Sequence, residues 1–255
     1  MNIMIFGGLG KTSEPIVGLL VKKNHSLTIF DISASNPYAG NKSVTVVQGD
    51  ICDQEAVESS LRGIDAILHL AVNVSDAKND ELSFRTNVFG TYNVFRGALT
   101  NKVPKVILAA SAPVHTVEEL KKLNNAGTAV EYCCAAGEDF TYDLTKIIQE
   151  TIAGHFSRTY ALNCLVLRLG HIVDGKTQTT IEGGPLSELS YCRGGWVCKY
   201  DVARAFSKAV STDFTGFHLV NVIGSFQAAD MFGLSAGSNI LSFECAERFL
   251  EYGSI

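Results

Sequence analysis

The segment FTYDLTK (140–146) sets Tyr142 and Lys146 four residues apart. On a helix that spacing puts both side chains on one face, and an ammonium beside a phenol favours the phenolate. A group whose solution pKa is about 10 is then drawn towards working pH, as a general acid/base requires. Spacing alone does not separate such a pair from an exposed helix pair. The chain also holds a second instance, Tyr38 and Lys42 in SNPYAGNK (35–42), where Pro37, Gly40 and Asn41 oppose a helix. Setting must decide between them.

A second candidate group is the turn Gly7-Gly8-Leu9-Gly10-Lys11-Thr12-Ser13, which follows the apolar run MNIMIF and precedes a helix-like segment. Glycines permit positive φ and let a dinucleotide pyrophosphate approach the backbone, while free amides at a helix start point at its charge. The spacing is Gly-x-x-Gly-x-x-Ser in place of a three-glycine fingerprint, with Ser13 small enough for close helix–strand packing. A tight strand–helix connection would read the same way. Asp31 adds the discriminating signal. It ends the second apolar run about twenty residues on, where a carboxylate accepts hydrogen bonds from ribose hydroxyls and repels a 2′-phosphate. No Arg or Lys follows in Ile32-Ser33-Ala34-Ser35, so the expected cofactor is NAD rather than NADP. Asp50 in GDICD (49–53) is placed either to meet the adenine amino edge or to cap a helix over 53–62, and the Asp50/Asp53 pair can hold both roles.

The elements that must position these groups are legible as alternation. NIMIFG (2–7), SLTIFD (26–31), VTVVQG (44–49), AILHLAV (66–72), KVILAAS (105–111) and CLVLRLG (164–170) read as buried strands. Helical patterns lie between them at 14–24, 53–62, 81–101 and 141–160. This order implies an α/β fold: a Rossmann-like, doubly wound parallel sheet that binds ligands at the carboxyl ends of its strands. Residues 174–196 are less regular and carry Gly183-Gly184-Pro185 and Gly194-Gly195. A helix over 200–210, a strand over 216–224 and a closing helix over 242–251 follow. The expected division is an NAD-binding core with the catalytic helix at 1–172 and a small C-terminal substrate-capping lobe at 173–255, integrated with the core.

With 255 residues, the chain can bury a substantial core. Its net charge of −5 lacks the basic surplus that phosphate-backbone binding requires, so nucleic acid is not expected as a partner. The start shows no secretion-signal pattern, and no window of about twenty apolar residues suggests a membrane span. Seven cysteines without paired C-x-x-C spacing, among them the vicinal Cys133-Cys134, point to reduced thiols and a cytoplasmic location. His115 and His171 follow strand ends but belong to no cluster with ligand spacing, so no metal is expected.

In order and spacing, the motifs GGLGKTS (7–13), GDICD, HLAV (69–72), TNVFGTYNV (86–94), LAASAPVH (108–115), YDLTK (142–146), LRLGHIVDG (167–175) and WVCKYDVARAF (196–206) resemble the extended short-chain dehydrogenase/reductase family, the NAD-dependent epimerase/dehydratase group. The resemblance implies that Ser111 holds the substrate oxygen and Tyr142 moves the proton. Lys146 would lower the tyrosine pKa and grip the nicotinamide ribose. It further implies cofactor contacts from Gly7, Leu9 and Gly10, from Asp31, Asp50 and Ile51, from Leu70, Ala71 and Val72, and from Asn87 and His171. Substrate contacts would come from Asn73, Ala112 and Arg193, and a homodimer would pair helices 81–101 and 141–160. Ala112-Pro113 stands where dehydratases of the family place Asp-Glu, which disfavours elimination. Among compact members the chain is most similar to uronate dehydrogenases, in DISASNPYAG (31–40), GTYNVFRGA (90–98) and Trp196 ahead of YDVARAF. The expected activity is hydride transfer between NAD and a secondary alcohol, hemiacetal or ketone of a small sugar- or polyol-like molecule. An NAD-retaining sugar epimerase and a non-catalytic NAD-binding protein are the alternatives.

Overall fold

The computed structural model describes residues 1–73, 79–112, 140–186, 189, 195–224, 240–247 and 249. Seven parallel strands form the central sheet: β1 (Asn2–Phe6), β2 (Ser26–Asp31), β3 (Val44–Gln48), β4 (Ala66–His69), β5 (Lys105–Ser111), β6 (Asn163–Leu169) and β9 (Phe217–Val222), in the order β3-β2-β1-β4-β5-β6-β9. Each neighbouring pair is parallel. The order reverses direction between β1 and β4, the switch point where a crevice opens at the carboxyl ends. A separate parallel pair joins β7 (His171–Val173) to β8 (Trp196–Cys198).

Side chains alternate between two cores because successive Cβ atoms of a strand point to opposite faces. In β1, Ile3 and Ile5 pack with the layer of α1 (Glu14–Lys22) and α6 (Lys199–Ser211), whereas Met4 and Phe6 pack with α2 (Gln54–Ser60), α4 (Thr91–Thr100) and α5 (Phe140–Tyr160). The same parity in β6 sends Leu165 and Leu167 one way and Cys164 and Val166 the other. Arg168 therefore faces the α5 layer, where Glu150 receives it in a fully buried bidentate pair with Nη2–Oε2 at 2.6 Å. Lys105, at the start of β5, reaches across to donate to the carbonyls of Val210 (2.6 Å) and Thr212 (3.0 Å), closing the carboxyl end of α6.

The helix expected over 81–101 is present but not uniform. A short α3 (Asp80–Ser83) runs into a π-helical stretch, Phe84–Gly90, and then into α4. Such wide turns tend to mark functional sites. In place of the closing helix expected over 242–251, the described residues 242–247 have no regular structure. Buried Asp201 accounts for this: its carboxylate accepts from the backbone N–H groups of Ala246 (3.0 Å) and Glu247 (2.9 Å) and binds Arg204, which also donates to the Glu244 carbonyl. Backbone amides engaged by Asp201 are not available to a helical ladder. Among the described residues no helix is long and apolar enough to cross a membrane. The 116–137 segment, Cys133-Cys134 and His115 lie outside the described residues.

Candidate active site

β1 ends at Gly7, whose φ of +78° turns the chain sharply. A side chain there would bring its Cβ within 2.5 Å of the backbone N and Cα of Ala71, so the loops after β1 and β4 touch at this point. Ser13 secures the turn, donating its hydroxyl to the Gly7 carbonyl (3.1 Å) and its amide to Gly10 (3.0 Å). Asp31 accepts from the Leu9 amide (3.0 Å) and the Ser33 amide (3.0 Å), so one carboxylate steadies both loops at the cleft while lining it. Of the two roles open for Asp50 and Asp53, the helix cap falls to Asp53. Asp53 caps α2 through the Ala56 amide (3.1 Å), and Asp50 closes a short turn onto the Cys52 amide (2.8 Å) at the cavity wall.

A cavity of ≈ 1130 Å³ runs along the carboxyl ends of the strands. It exceeds the roughly 300–1,000 Å³ usual for a drug-sized ligand, leaving room for a dinucleotide and a small second molecule. Gly7, Leu9, Gly10, Asp31, Asp50 and Ile51 line one part of it; Leu70, Ala71, Val72 and Asn73 form the wall after β4; Ser111, Tyr142, Lys146 and His171 also line it. The glycine turn and the Tyr/Lys pair thus share one space. The decoy Tyr38 is not among the lining residues.

Two expected contacts stand elsewhere. Asn87 is fully buried behind the wall, because its amide is engaged by backbone: Oδ1 accepts from the Asn73 amide (2.7 Å), and Nδ2 donates to the Asn73 carbonyl (3.0 Å) and to Thr145 Oγ1 (3.0 Å). It shapes the wall and does not line it. Ala112 is likewise fully buried, packed with Val173, Trp196 and Phe249 in a small apolar cluster, since its amide continues the pairing of β5 with β6 (2.8 Å to the Leu169 carbonyl). Arg193 lies outside the described residues.

Lys146 is buried on α5. Its Nζ donates to the Ala109 carbonyl (2.7 Å) and to Gln149 Oε1 (2.7 Å), which leaves one N–H for the cavity that the residue lines. Burial lowers its pKa to about 8, opposed by the Glu150 carboxylate one turn on. Tyr142 sits in the first turn of the same helix, where its carbonyl accepts from Thr145 Oγ1 (2.9 Å). Ser111, 8% exposed, closes β5 at the cavity. Desolvation lowers the His171 imidazole pKa, and the Glu182 carboxylate opposes that shift.

Sequence reasoning missed several wall residues. Arg85 and Thr86 enter from the π-helical stretch, Val202 and Phe206 from α6, and Glu182 from the irregular segment, where it pairs with exposed Lys11 of the glycine turn at 3.2 Å. Lys11, Thr86, Val202 and Phe206 lie within GGLGKTS, TNVFGTYNV and WVCKYDVARAF, whereas Glu182 carries no sequence signal.

The profile of the NAD dependent epimerase/dehydratase family matches residues 3–188. An L-arabinose 1-dehydrogenase (NAD(P)(+)) of Haloferax volcanii is 25% identical over 184 residues, 69% of this chain and 72% of that protein. A uronate dehydrogenase of Pseudomonas syringae pv. tomato is 27% identical over 214 residues, 84% of this chain and 70% of its own length. Among solved structures, a Y136A mutant of uronate dehydrogenase from Agrobacterium tumefaciens, complexed with NAD, shares the fold with a TM-score of 0.72 at 17% identity, covering 97% of this chain and 85% of that one.

Proposed function

Because the chain belongs to the NAD dependent epimerase/dehydratase family, we propose that it is an NAD-dependent oxidoreductase of the extended short-chain dehydrogenase/reductase type. Its substrate is a small sugar- or polyol-like molecule, in which a secondary alcohol or hemiacetal is interconverted with the ketone or lactone. The observation that carries this reading is one cavity lined by the glycine turn and Asp31 as well as by Ser111, Tyr142 and Lys146. The names of the relatives, an L-arabinose 1-dehydrogenase and a uronate dehydrogenase, support the substrate class.

The residues present fit the cofactor. Gly7 and Gly10 line the cavity at the helix-start turn, where a pyrophosphate would meet backbone amides. Asp31 keeps lone pairs that would accept from ribose hydroxyls, Asp50 and Ile51 would border the adenine, and the remaining N–H of Lys146 would serve the nicotinamide ribose. NAD, when bound, supplies the two-electron hydride acceptor. Ser111 donates its hydroxyl hydrogen bond to the reacting substrate oxygen and orients it. In oxidation Tyr142, as phenolate, takes the proton of the substrate hydroxyl; in reduction the phenol returns it. The buried ammonium of Lys146 favours the phenolate. Asn73 and His171 line the cavity; in this reading Asn73 and Arg193 would contact substrate and His171 the nicotinamide end. The reading includes closure by residues 173–255 as a capping lobe, a homodimer through helices 81–101 and 141–160, and a cytoplasmic location.

The test is Tyr142→Phe assayed by formation of reduced cofactor on a panel of aldoses, uronic acids, inositols and ketones. Turnover should fall by about 10²–10⁴-fold with NAD binding retained. Unchanged turnover refutes the assignment, and turnover without net reduced cofactor identifies an epimerase instead.

A further inference from the structure

Behind Lys146 lies a closed chain of hydrogen bonds whose polarity can be worked out. Thr91 Oγ1 has one proton and two lone pairs. The proton goes to the Asn87 carbonyl at 2.6 Å. Both other neighbours, Gln149 Nε2 at 2.7 Å and His69 Nε2 at 2.8 Å, must therefore donate to it. This fixes the Gln149 amide with its oxygen towards Lys146; a flip would set oxygen against oxygen and an NH2 group against the ammonium. It also puts a proton on His69 Nε2, and with burial and Lys146 lowering the imidazole pKa to about 3 the ring is the neutral Nε2–H tautomer. Gln149, Thr91 and Asn87 are fully buried and His69 is 1% exposed, so water does not compete for these bonds.

We propose that Gln149 is a positioning residue for Lys146. Its amide, oriented by Thr91, holds the ammonium at the cavity wall and connects it through Asn87 to the backbone of Asn73 in the same cavity. An apolar side chain at 149 would leave Lys146 with the Ala109 carbonyl as its one remaining acceptor of the present two. The charged and titratable groups that bear on Lys146 among the described residues are Glu150 on its own helix and His69 on β4, with Arg168 on β6 binding Glu150; Tyr142, one turn earlier, lines the same cavity. None of them replaces the lost oxygen, since Glu150 is already engaged by Arg168 and His69 is neutral.

The inference rests on the reading of Lys146 as the residue that grips the nicotinamide ribose, and its test reads NAD binding rather than turnover. Calorimetric NAD affinity is measured against pH for the native protein, Gln149→Met and Gln149→Glu. Native affinity should weaken as Lys146 loses its proton, at a pH of about 8. Loss of a hydrogen bond to a charged group should move that midpoint down by about one to two pH units in Gln149→Met. Gln149→Glu loses the donation to Thr91, whose hydroxyl can turn to the carboxylate instead; it keeps an acceptor oxygen for Lys146 and should hold the midpoint at or above the native one. Should Gln149→Met fail to fold, Gln149→Asn, polar but one methylene too short, is measured in its place. An unmoved midpoint in the folded Met or Asn variant, or a Gln149→Glu midpoint that falls with it, overturns the proposal. Retained turnover in Tyr142→Phe would sink the underlying catalytic reading instead, so the two failures are distinguishable.

Discussion

The contact between the loops after β1 and β4 can be measured with two glycines of matched backbone. Gly7 and Gly40 have φ of +78° and +87°. An alanine at either position meets the same left-handed penalty of about 1–2 kcal/mol, offset by roughly 0.4–1 kcal/mol from the stiffer unfolded chain. Gly40 has nothing within 4 Å of an added Cβ, so Gly40→Ala should cost about 0–1.6 kcal/mol. At Gly7 the added Cβ lies 2.5 Å from the backbone N and Cα of Ala71, more than 1 Å inside carbon contact distance. Backbone cannot swing aside as a side chain does, so overpacking adds about 1–3 kcal/mol or more. Gly7→Ala should thus lose about 1–4.6 kcal/mol in urea denaturation, equivalent to a fall in Tm of about 2–18 °C at the ~2–4 °C per kcal/mol expected for this size. It should also weaken NAD binding, because relief of the clash displaces Leu9 and Ala71 at the cleft. Equal losses in the two variants, within about 0.5 kcal/mol, would refute the close approach as the reason for glycine at position 7.

Two further outcomes follow from buried polar groups. Asp201→Ala leaves the amides of Ala246 and Glu247 without their acceptor; it should cost about 2–4 kcal/mol and open the 240–249 segment to limited proteolysis, and an unchanged cleavage rate would contradict the account. His69 has a folded pKa of about 3 against an ordinary 6.5, so the unfolded chain binds its proton first and stability rises with pH across that window. His25 and His171 shift in the same direction. His69→Gln should therefore reduce, without abolishing, the slope of stability between about pH 5 and 6.5, where carboxylates contribute little; a slope unchanged in denaturation series at several pH values would show that His69 is not buried neutral.

Much of this molecule is written in local pattern. Fully buried parallel strands must be apolar at successive positions, so β1, β2, β5 and β6 stand out as runs of Ile, Leu and Val, and glycine at 7 with Asp31 marks the cleft. Tyr142 and Lys146 share a helix face by arithmetic alone. The failures have a common cause in long-range bonding. The helical pattern beyond 242 gave way to Asp201, more than forty residues earlier, which takes the amides of 246 and 247. The family pattern points to Asn87 as a cofactor contact, but its amide turns to the backbone of Asn73. The same pattern points to Ala112 as a substrate contact, whereas strand pairing carries it into an apolar cluster. Glu182 reaches the cavity with no sequence signal, through a pair with Lys11 that lies 171 residues away along the chain.

Sequence by itself determined the alternation, hence the doubly wound sheet, and the residue types able to turn a chain at a pyrophosphate or to share a proton. Those properties depend on period, φ and side-chain chemistry, which are local. Tertiary structure decided which groups meet. Only folding could put Asp31 under the glycine turn, seat Lys146 between the Ala109 carbonyl and Gln149, and orient that amide through Thr91. Hydrogen bonds bridge residues that chain distance separates, and their direction is set by counting protons and lone pairs in three dimensions.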